Sequence, residues 1–400
     1  MRNLTKGVKM HGLVKNLPRE LNGPVISVVI PTRERADTLF HTLLTALSQK
    51  SQDYEVVISD NYSNDNTRDM VSKIDDNRIR YFNTEKRMSM CDNYEFALSK
   101  CRGEYVIIIG DDDAVMPGRL DDLIALLKEL PEPMIHMWPL HIYDWPVENK
   151  LASIAYLAPV KAPSRLNLKD KARFVVGSGG WKYYELPSPY HSAIPIGILN
   201  EVRERTGRVF HSTQPDVFTA MAIPAFADYA INIGRTVTLN GRSSRSNGLG
   251  FVKRNARVNI ERFISEYGDY KFHPSLYGGV SGLSNMIPDA VLLAKDFFPE
   301  LYAEVKFNYS AMWAYICRIG FIGHIEVLKE WRKIGAQQPI GCLSFLGYSL
   351  IHELSAIRRI ILNKVSKLKK RDNKIPENIN KFVVHLTQTT ELVIENDEIR

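Results

Sequence analysis

The sequence predicts an α/β protein: a mainly parallel sheet flanked by helices, then an irregular half, then a mainly helical C-terminal region. Three observations carry this expectation. Between Val25 and Trp138 short β-branched runs alternate with helical patterns, as parallel sheets covered by crossover helices require. After Met134 the alternation stops, and Pro139, Pro146, Pro159, Pro163, Pro187, Pro189 and Pro195 divide the chain into short pieces. From about Arg257 the apolar residues recur mainly at helical spacing.

Element by element, Ile26 to Ile30 reads as a buried strand, and Leu39, Leu43, Leu44 and Leu47 mark the helix after it. The unit repeats as strand 54–59 with helix 67–74, and strand 78–82 with helix 89–101. A fourth strand, 105–109, runs into Gly110, Asp111, Asp112 and Asp113, and a helix starting at Pro117 follows. Further on, helices are expected at 168–176, 196–206 and 215–227, a strand near 236–239 and a Gly/Ser/Arg loop over 241–250. The expected division is a basic N-terminal segment (1–24), a first α/β half (25–138), a second half (139–256) and a helical region (257–400).

Of 400 residues, 44% are hydrophobic and 24% charged, which supplies a real core and argues against extensive disorder. The net charge of +7 is compatible with phosphorylated ligands or an anionic surface. Cys91, Cys101, Cys317 and Cys342 form no CxxC pair, and no apolar run resembles a signal peptide or a bilayer span. A cytoplasmic location is therefore expected. Residues 350–371 set seven Lys and Arg side chains beside Ile351, Leu354, Ile357 and Ile361, a basic amphipathic helix suited to peripheral attachment at an anionic membrane face.

In parallel sheets ligands bind beyond the carboxyl ends of the strands. The loops there carry Thr32, Arg33, Glu34 and Arg35, then Asp60, Asn61, Ser63 and Asp65, then the three aspartates. Adjacent carboxylates repel one another unless a positive charge sits among them. Either a hard divalent cation, Mg2+ or Mn2+, bridges them to a diphosphate, or they form a solvated acidic turn. His191, His211 and His273 lack metal-ligand spacing and read as structural.

The runs ISVVIPTRERADTLFHTLLTALSQ, YEVVISDNYSNDNT and CDNYEFALSKCRGEYVIIIGDDDAVMPGRL resemble, in order and spacing, the nucleotide-sugar half of family-2 glycosyltransferases, which have the GT-A, Rossmann-like fold. The resemblance implies that Thr32 and Glu34 line the nucleotide and that Asp60 faces the base. It also implies that Arg87 or Lys86 lies near base or phosphates, Asp111 near the ribose, and Asp112 or Asp113 on the cation. The segments STQPDVFTAMAIPAF and LNGRSSRSNG resemble the acceptor half of bacterial members that assemble surface polysaccharides. An inverting transfer needs a carboxylate to take the proton of the acceptor hydroxyl, and Asp216 is the candidate, with Asp144 and Glu185 next. Asp216 also stands in the first turn of a helix, where an acid is favoured in any case and its pKa is lowered. Arg242, Arg245, Ser243, Ser244, Ser246 and Asn247 could close over a diphosphate.

The expected activity is a metal-dependent transfer of one sugar from a nucleotide-diphosphate sugar, a UDP-sugar favoured, to a glycan or lipid-linked acceptor. A sugar nucleotidyltransferase would resemble others in a glycine-rich first loop, whereas PTRER has no glycine. A polymerase Gly-Asp-Asp string belongs in a hairpin, not before a helix, so no nucleic-acid partner is expected. A non-catalytic nucleotide-sugar-binding protein of the same fold is the remaining alternative.

Overall fold

The computed structural model describes residues 23–147, 150–246, 256–278, 283–318, 323–368 and 375–397. Its first half is the expected α/β unit: β1 (Ile26–Thr32), α1 (Ala36–Leu47), β2 (Tyr54–Asp60), α2 (Thr67–Ser72), β3 (Ile79–Asn83), α3 (Met90–Leu98), β4 (Tyr105–Ile108), β5 (Ala114–Val115) and α4 (Arg119–Lys128). Strands β3, β2, β1 and β4 lie side by side, all parallel, with Val28 opposite both Val56 and Ile107. The period of two divides their side chains between two cores. Val29, Val57, Val106 and Ile108 face one, while Val28, Ile30, Val56, Ile58 and Ile107 face the other with α1 and α4. Local signals fix the helix starts. Ser89 caps α3 by accepting the Asp92 N–H at 3.2 Å, and Gly118 precedes α4 at φ 68°, a left-handed turn that glycine adopts freely.

The second half is less irregular than the prolines predict. It contains β6 (His136–Met137), β7 (Ile142–Asp144), β8 (Ser153–Tyr156), β9 (Ser164–Asn167), α5 (Leu168–Gly177), β10 (Ser192–Pro195), α6 (Ile196–Thr206), α7 (Pro215–Ala222), β11 (Tyr229–Asn232) and β12 (Thr238–Arg242). Among the described residues these complete an eight-stranded sheet, β3-β2-β1-β4-β10-β6-β11-β9, and build a four-stranded one, β5-β12-β7-β8. Gly241 and Arg242, expected in a loop, instead extend β12, because Asn240 to Arg242 pair with Ile142 to Asp144. The helix expected to reach 227 ends at Ala222 and passes into a 3-10 turn containing Pro224.

Eight helices of the described C-terminal region follow: α8 (Ala256–Ser265), α9 (Leu283–Phe297), α10 (Pro299–Tyr302), α11 (Tyr309–Arg318), α12 (His324–Lys329), α13 (Trp331–Gln337), α14 (Cys342–Leu368) and α15 (Ile379–Asp397). Helix α9 packs on α7, and α11 packs on α14 around the fully buried Trp313, whose Nε1 donates to Gln338 Oε1 at 2.8 Å. Helix α15 returns to the first half. Its Ile379, Phe382 and Val383 are buried against Ala114, Tyr143 and Leu239, so the small sheet is closed from outside by the end of the chain. None of the described helices is long and apolar enough to cross a membrane. Helix α14 buries Phe345 and His352 on one side, while Leu343, Leu346, Leu350, Leu354 and Ile357, spaced by three or four residues, are exposed on another. The basic residues Lys369, Lys370 and Arg371 lie outside the described residues.

Candidate active site at the carboxyl end of the sheet

Asp111, Asp112 and Asp113 leave the end of β4 in a tight turn, and all three are buried. The turn is pinned by its backbone: Thr42 Oγ1 donates to the Asp113 carbonyl at 2.7 Å and Trp145 Nε1 to the Asp112 carbonyl at 2.8 Å. Glycine is required opposite. A Cβ on Gly241 would lie 1.7 Å from the Asp112 carbonyl oxygen, and the Gly241 N–H donates to Asp113 Oδ1 at 2.7 Å.

The three carboxylates have different surroundings. Asp113 turns inward: Oδ1 accepts from Gly241 N–H, while Oδ2 accepts from Gly110 N–H at 2.5 Å and Tyr190 Oη at 3.0 Å and lies 3.2 Å from His191 Nε2. Protein donors thus reach both its oxygens, as they do both oxygens of Asp111. Asp111 accepts from Thr32 Oγ1 at 2.7 Å through Oδ2 and from Arg35 Nη1 at 2.8 Å through Oδ1. Asp112 Oδ2 accepts from Ser243 N–H at 3.0 Å and Ser246 Oγ at 2.5 Å and lies 3.9 Å from Arg35 Nη1. Burial, with Asp113 and Asp111 beside it, pushes the Asp112 carboxyl up to about 6. Burial alone would favour neutral Arg35, but Asp111 and Asp112 outweigh it and hold the guanidinium charged.

The positive charge that the triplet demands is therefore supplied in this structure by Arg35. Among the described residues no group of three or more His, Cys, Asp or Glu side chains gathers as a metal cluster. The donor set nevertheless fits Mg2+ or Mn2+, since the carboxylates of the turn offer hard oxygens and such ions commonly take one or two carboxylates plus substrate phosphates.

Around this centre lie the other predicted residues. Asp60 is buried at the end of β2, where Oδ1 accepts from Ser63 N–H at 3.0 Å and Oδ2 from Tyr81 Oη at 2.5 Å. Glu34 has φ 57° and its Oε1 accepts from Asn64 N–H at 3.0 Å, which ties the first two loops together. Asn61 clamps the third loop, its Oδ1 accepting from Met88 N–H at 2.8 Å. Arg87 is partly exposed and shares Glu266, just past α8, with Arg33: the contacts are 3.5 Å and 3.0 Å. Through Glu266 the helical region thus reaches the first and third loops of the sheet.

Asp216 opens α7 behind Pro215, partly accessible but walled by protein. Burial raises its carboxyl pKa despite the opposing N–H groups of Val217 and Asp216 itself and the nearby His191. The sequence predicts a lowered value from the helix N-terminus; desolvation reverses the sign. Tyr94 links the two halves, because burial and then the charges of Asp216, Asp113 and Asp111 push its phenol up. The alternative bases are engaged elsewhere. Asp144 accepts from Arg242 Nε at 2.7 Å and from Ser153 Oγ at 3.0 Å, and Glu185 pairs with Lys171 and Lys182. Arg245 is held by Asp37 and by the Glu34 carbonyl, and Asn247 lies outside the described residues.

Sequence reasoning named Arg35 only among the loop residues and His191 only as structural, and it missed Tyr94, Tyr190 and Asn240. His191 is 3% exposed with φ 62°; its Nδ1 lies 2.8 Å from Thr238 Oγ1, which accepts from Trp138 Nε1, and its Nε2 lies 3.2 Å from Asp113 Oδ2. The charge-balance argument on the triplet called for a positive charge but assigned it to a divalent cation, not to Arg35. The others come from long-range neighbours with no local signal. His211 and His273 are structural as expected: His211 sits between Phe218 and Phe297, and His273 pairs with Asp296.

Residues 27–184 match the family model described as Glycosyl transferase family 2. The chain is 32% identical over 109 residues to a GalNAc(5)-diNAcBac-PP-undecaprenol beta-1,3-glucosyltransferase of Campylobacter jejuni, covering 26% of this chain and 35% of that protein. It is 29% identical over 101 residues to a succinoglycan biosynthesis protein of Rhizobium meliloti, covering 25% and 29%. The chain thus spans well under half the length of these two relatives. Among solved structures, TarS 1–349 of S. aureus in complex with UDP-GlcNAc aligns with a TM-score of 0.47 at 14% identity, over 77% of this chain and 91% of that one. Residues 27–184 thus match family-2 glycosyltransferases, and the chain resembles bacterial glycosyltransferases of surface-polysaccharide assembly.

Proposed function

We propose that this chain moves one sugar from a nucleotide-diphosphate sugar, a UDP-sugar favoured, to a hydroxyl of a lipid-linked glycan during surface-polysaccharide assembly, with inversion at the anomeric carbon. The observation that carries the reading is that Asp111 and Asp113 at the end of β4 and Asp216 from the other half all act on the phenol of the partly buried Tyr94 between them. Thr32, Glu34, Asp60 and Arg87 bind the nucleotide. Asp112 would hold Mg2+ or Mn2+, with Asp111 near the ribose, and the ion would offset the charge of the diphosphate leaving group. Asp216 takes the proton from the acceptor hydroxyl as its oxygen bonds the anomeric carbon, and the carbon–oxygen bond to the diphosphate breaks with its electron pair leaving on the nucleotide. A raised pKa suits Asp216 to this task, since a stronger base accepts the proton more readily.

The acceptor class is supported by the lipid-linked substrate in the Campylobacter relative's name. Location is supported by α14, whose exposed Leu343, Leu346, Leu350, Leu354 and Ile357 precede the basic run Arg358, Arg359, Lys364, Lys367, Lys369, Lys370 and Arg371. A cytoplasmic enzyme attached in this way to the inner membrane face meets a lipid-linked acceptor without spanning the bilayer. The test is a panel of nucleotide sugars scored for slow hydrolysis with and without Mn2+. One sugar turned over in a Mn2+-dependent manner is expected; no turnover and no metal-coupled nucleotide binding would leave the non-catalytic alternative.

A further inference from the structure

The loop that delivers Asp216 is held by a carboxylate no motif points to. Asp289, in α9 of the helical region, is 2% exposed and accepts three hydrogen bonds. They come from Ser212 Oγ at 2.7 Å, from Tyr270 Oη, and from His273 N–H at 2.7 Å. Ser212 stands four residues before Asp216 and has φ 64°, a conformation that non-glycine residues adopt only under constraint. The other side of Ser212 is held as well, its carbonyl accepting from Cys91 Sγ at 2.8 Å. Helix α9 packs on α7, so the residue that fixes the turn and the helix that carries Asp216 belong to one packed unit.

We propose that Asp289 is a positioning residue for the transfer: by holding Ser212 in its left-handed turn it sets where the start of α7, and hence Asp216, stands relative to the acidic turn of β4. This rests on the reading of Asp216 as the base. It assigns the helical region a part in the chemistry as well as in packing, because its side chain fixes a loop of the transferase half.

Ser212→Ala and Ser212→Gly test it, since both lose the same hydrogen bond to Asp289 while only glycine adopts the positive φ without that hold. Turnover is expected to fall tenfold or more in Ser212→Ala and Asp289→Ala with the donor KM within twofold of wild type, and to stay within about threefold in Ser212→Gly. Hydrogen exchange across 208–218 should rise in Ser212→Ala and Asp289→Ala, a readout that does not depend on what Asp216 does. Should Asp289→Ala fail to fold, the serine pair still decides. Equal damage from alanine and glycine, an equal loss in donor binding, or unchanged exchange would overturn the proposal. Asp216→Asn assayed alongside separates the two failures: full turnover in that variant removes the base reading, while the exchange data still judge the hold on the loop.

Discussion

Arg35 Nη1 stands 2.8 Å from Asp111 Oδ1 and 3.9 Å from Asp112 Oδ2, so the guanidinium fills the position of a counter-ion to the acidic turn. A divalent cation must displace this charge or share the carboxylates with it, and a diphosphate gives Arg35 a new partner. Arg35→Gln should therefore bind Mn2+ at least tenfold more tightly than wild type when no nucleotide is present, and bind nucleoside diphosphate more weakly. Titration calorimetry of each ligand alone measures both. Unchanged Mn2+ affinity would show that Arg35 and the ion do not compete.

Asp112 and Asp113, adjacent in sequence, should separate under mutation. Asp112→Ala removes an oxygen from the cation site and should abolish transfer and metal-coupled nucleotide binding while the melting temperature stays near that of wild type. Asp113→Ala strips the acceptor from Gly110, Gly241 and Tyr190, and each buried group left unpaired costs about 1–3 kcal/mol. Thermal melts should show a clear drop for Asp113→Ala alone. Equal melts with equal loss of Mn2+ binding would make Asp113 a ligand, as the resemblance implies.

For Asp216, the expected loss on substitution by Asn is about two to four orders of magnitude in turnover, the range for a general base, with nucleotide affinity little changed. Burial raises the carboxyl pKa, so the base becomes protonated at a higher pH than an ordinary aspartate. Turnover of the wild type should therefore fall on acidification before the usual carboxylate range is reached. A pH–rate profile of wild type and variant checks this, because the variant should lose that acidic limb.

Helix α14 offers two separable contributions to the proposed membrane attachment. Neutralising Lys367, Lys369, Lys370 and Arg371 should remove the dependence on anionic lipid and on salt, each charge near an anionic leaflet contributing about 1 kcal/mol before screening. Replacing the exposed Leu346, Leu350 and Leu354 by Ser should weaken flotation at every salt concentration, because their apolar surface is what enters the interface. Flotation with liposomes of graded anionic content distinguishes the two, and no binding by the wild type would remove the attachment altogether.

The sequence by itself determined the parallel half and the positions of its loops. Strands buried on both faces read as unbroken apolar runs, and polar residues at their carboxyl ends must lie where ligands bind, so Thr32, Asp60 and the aspartates were legible one strand at a time. Tertiary structure alone decided the rest. Strands β6 and β10 are two and four residues long and exist only because each pairs with chain far away, beyond the reach of any local pattern. The division of labour among three identical side chains was equally hidden. Asp113 turns to Gly241 and Tyr190 while Asp111 turns to Arg35, and those partners arrive from distant segments. The pKa of Asp216 gives the physical reason most directly: the helix N-terminus is a local feature that sequence reveals, but the desolvation that outweighs it is a property of everything packed around the carboxyl, which only the folded chain assembles.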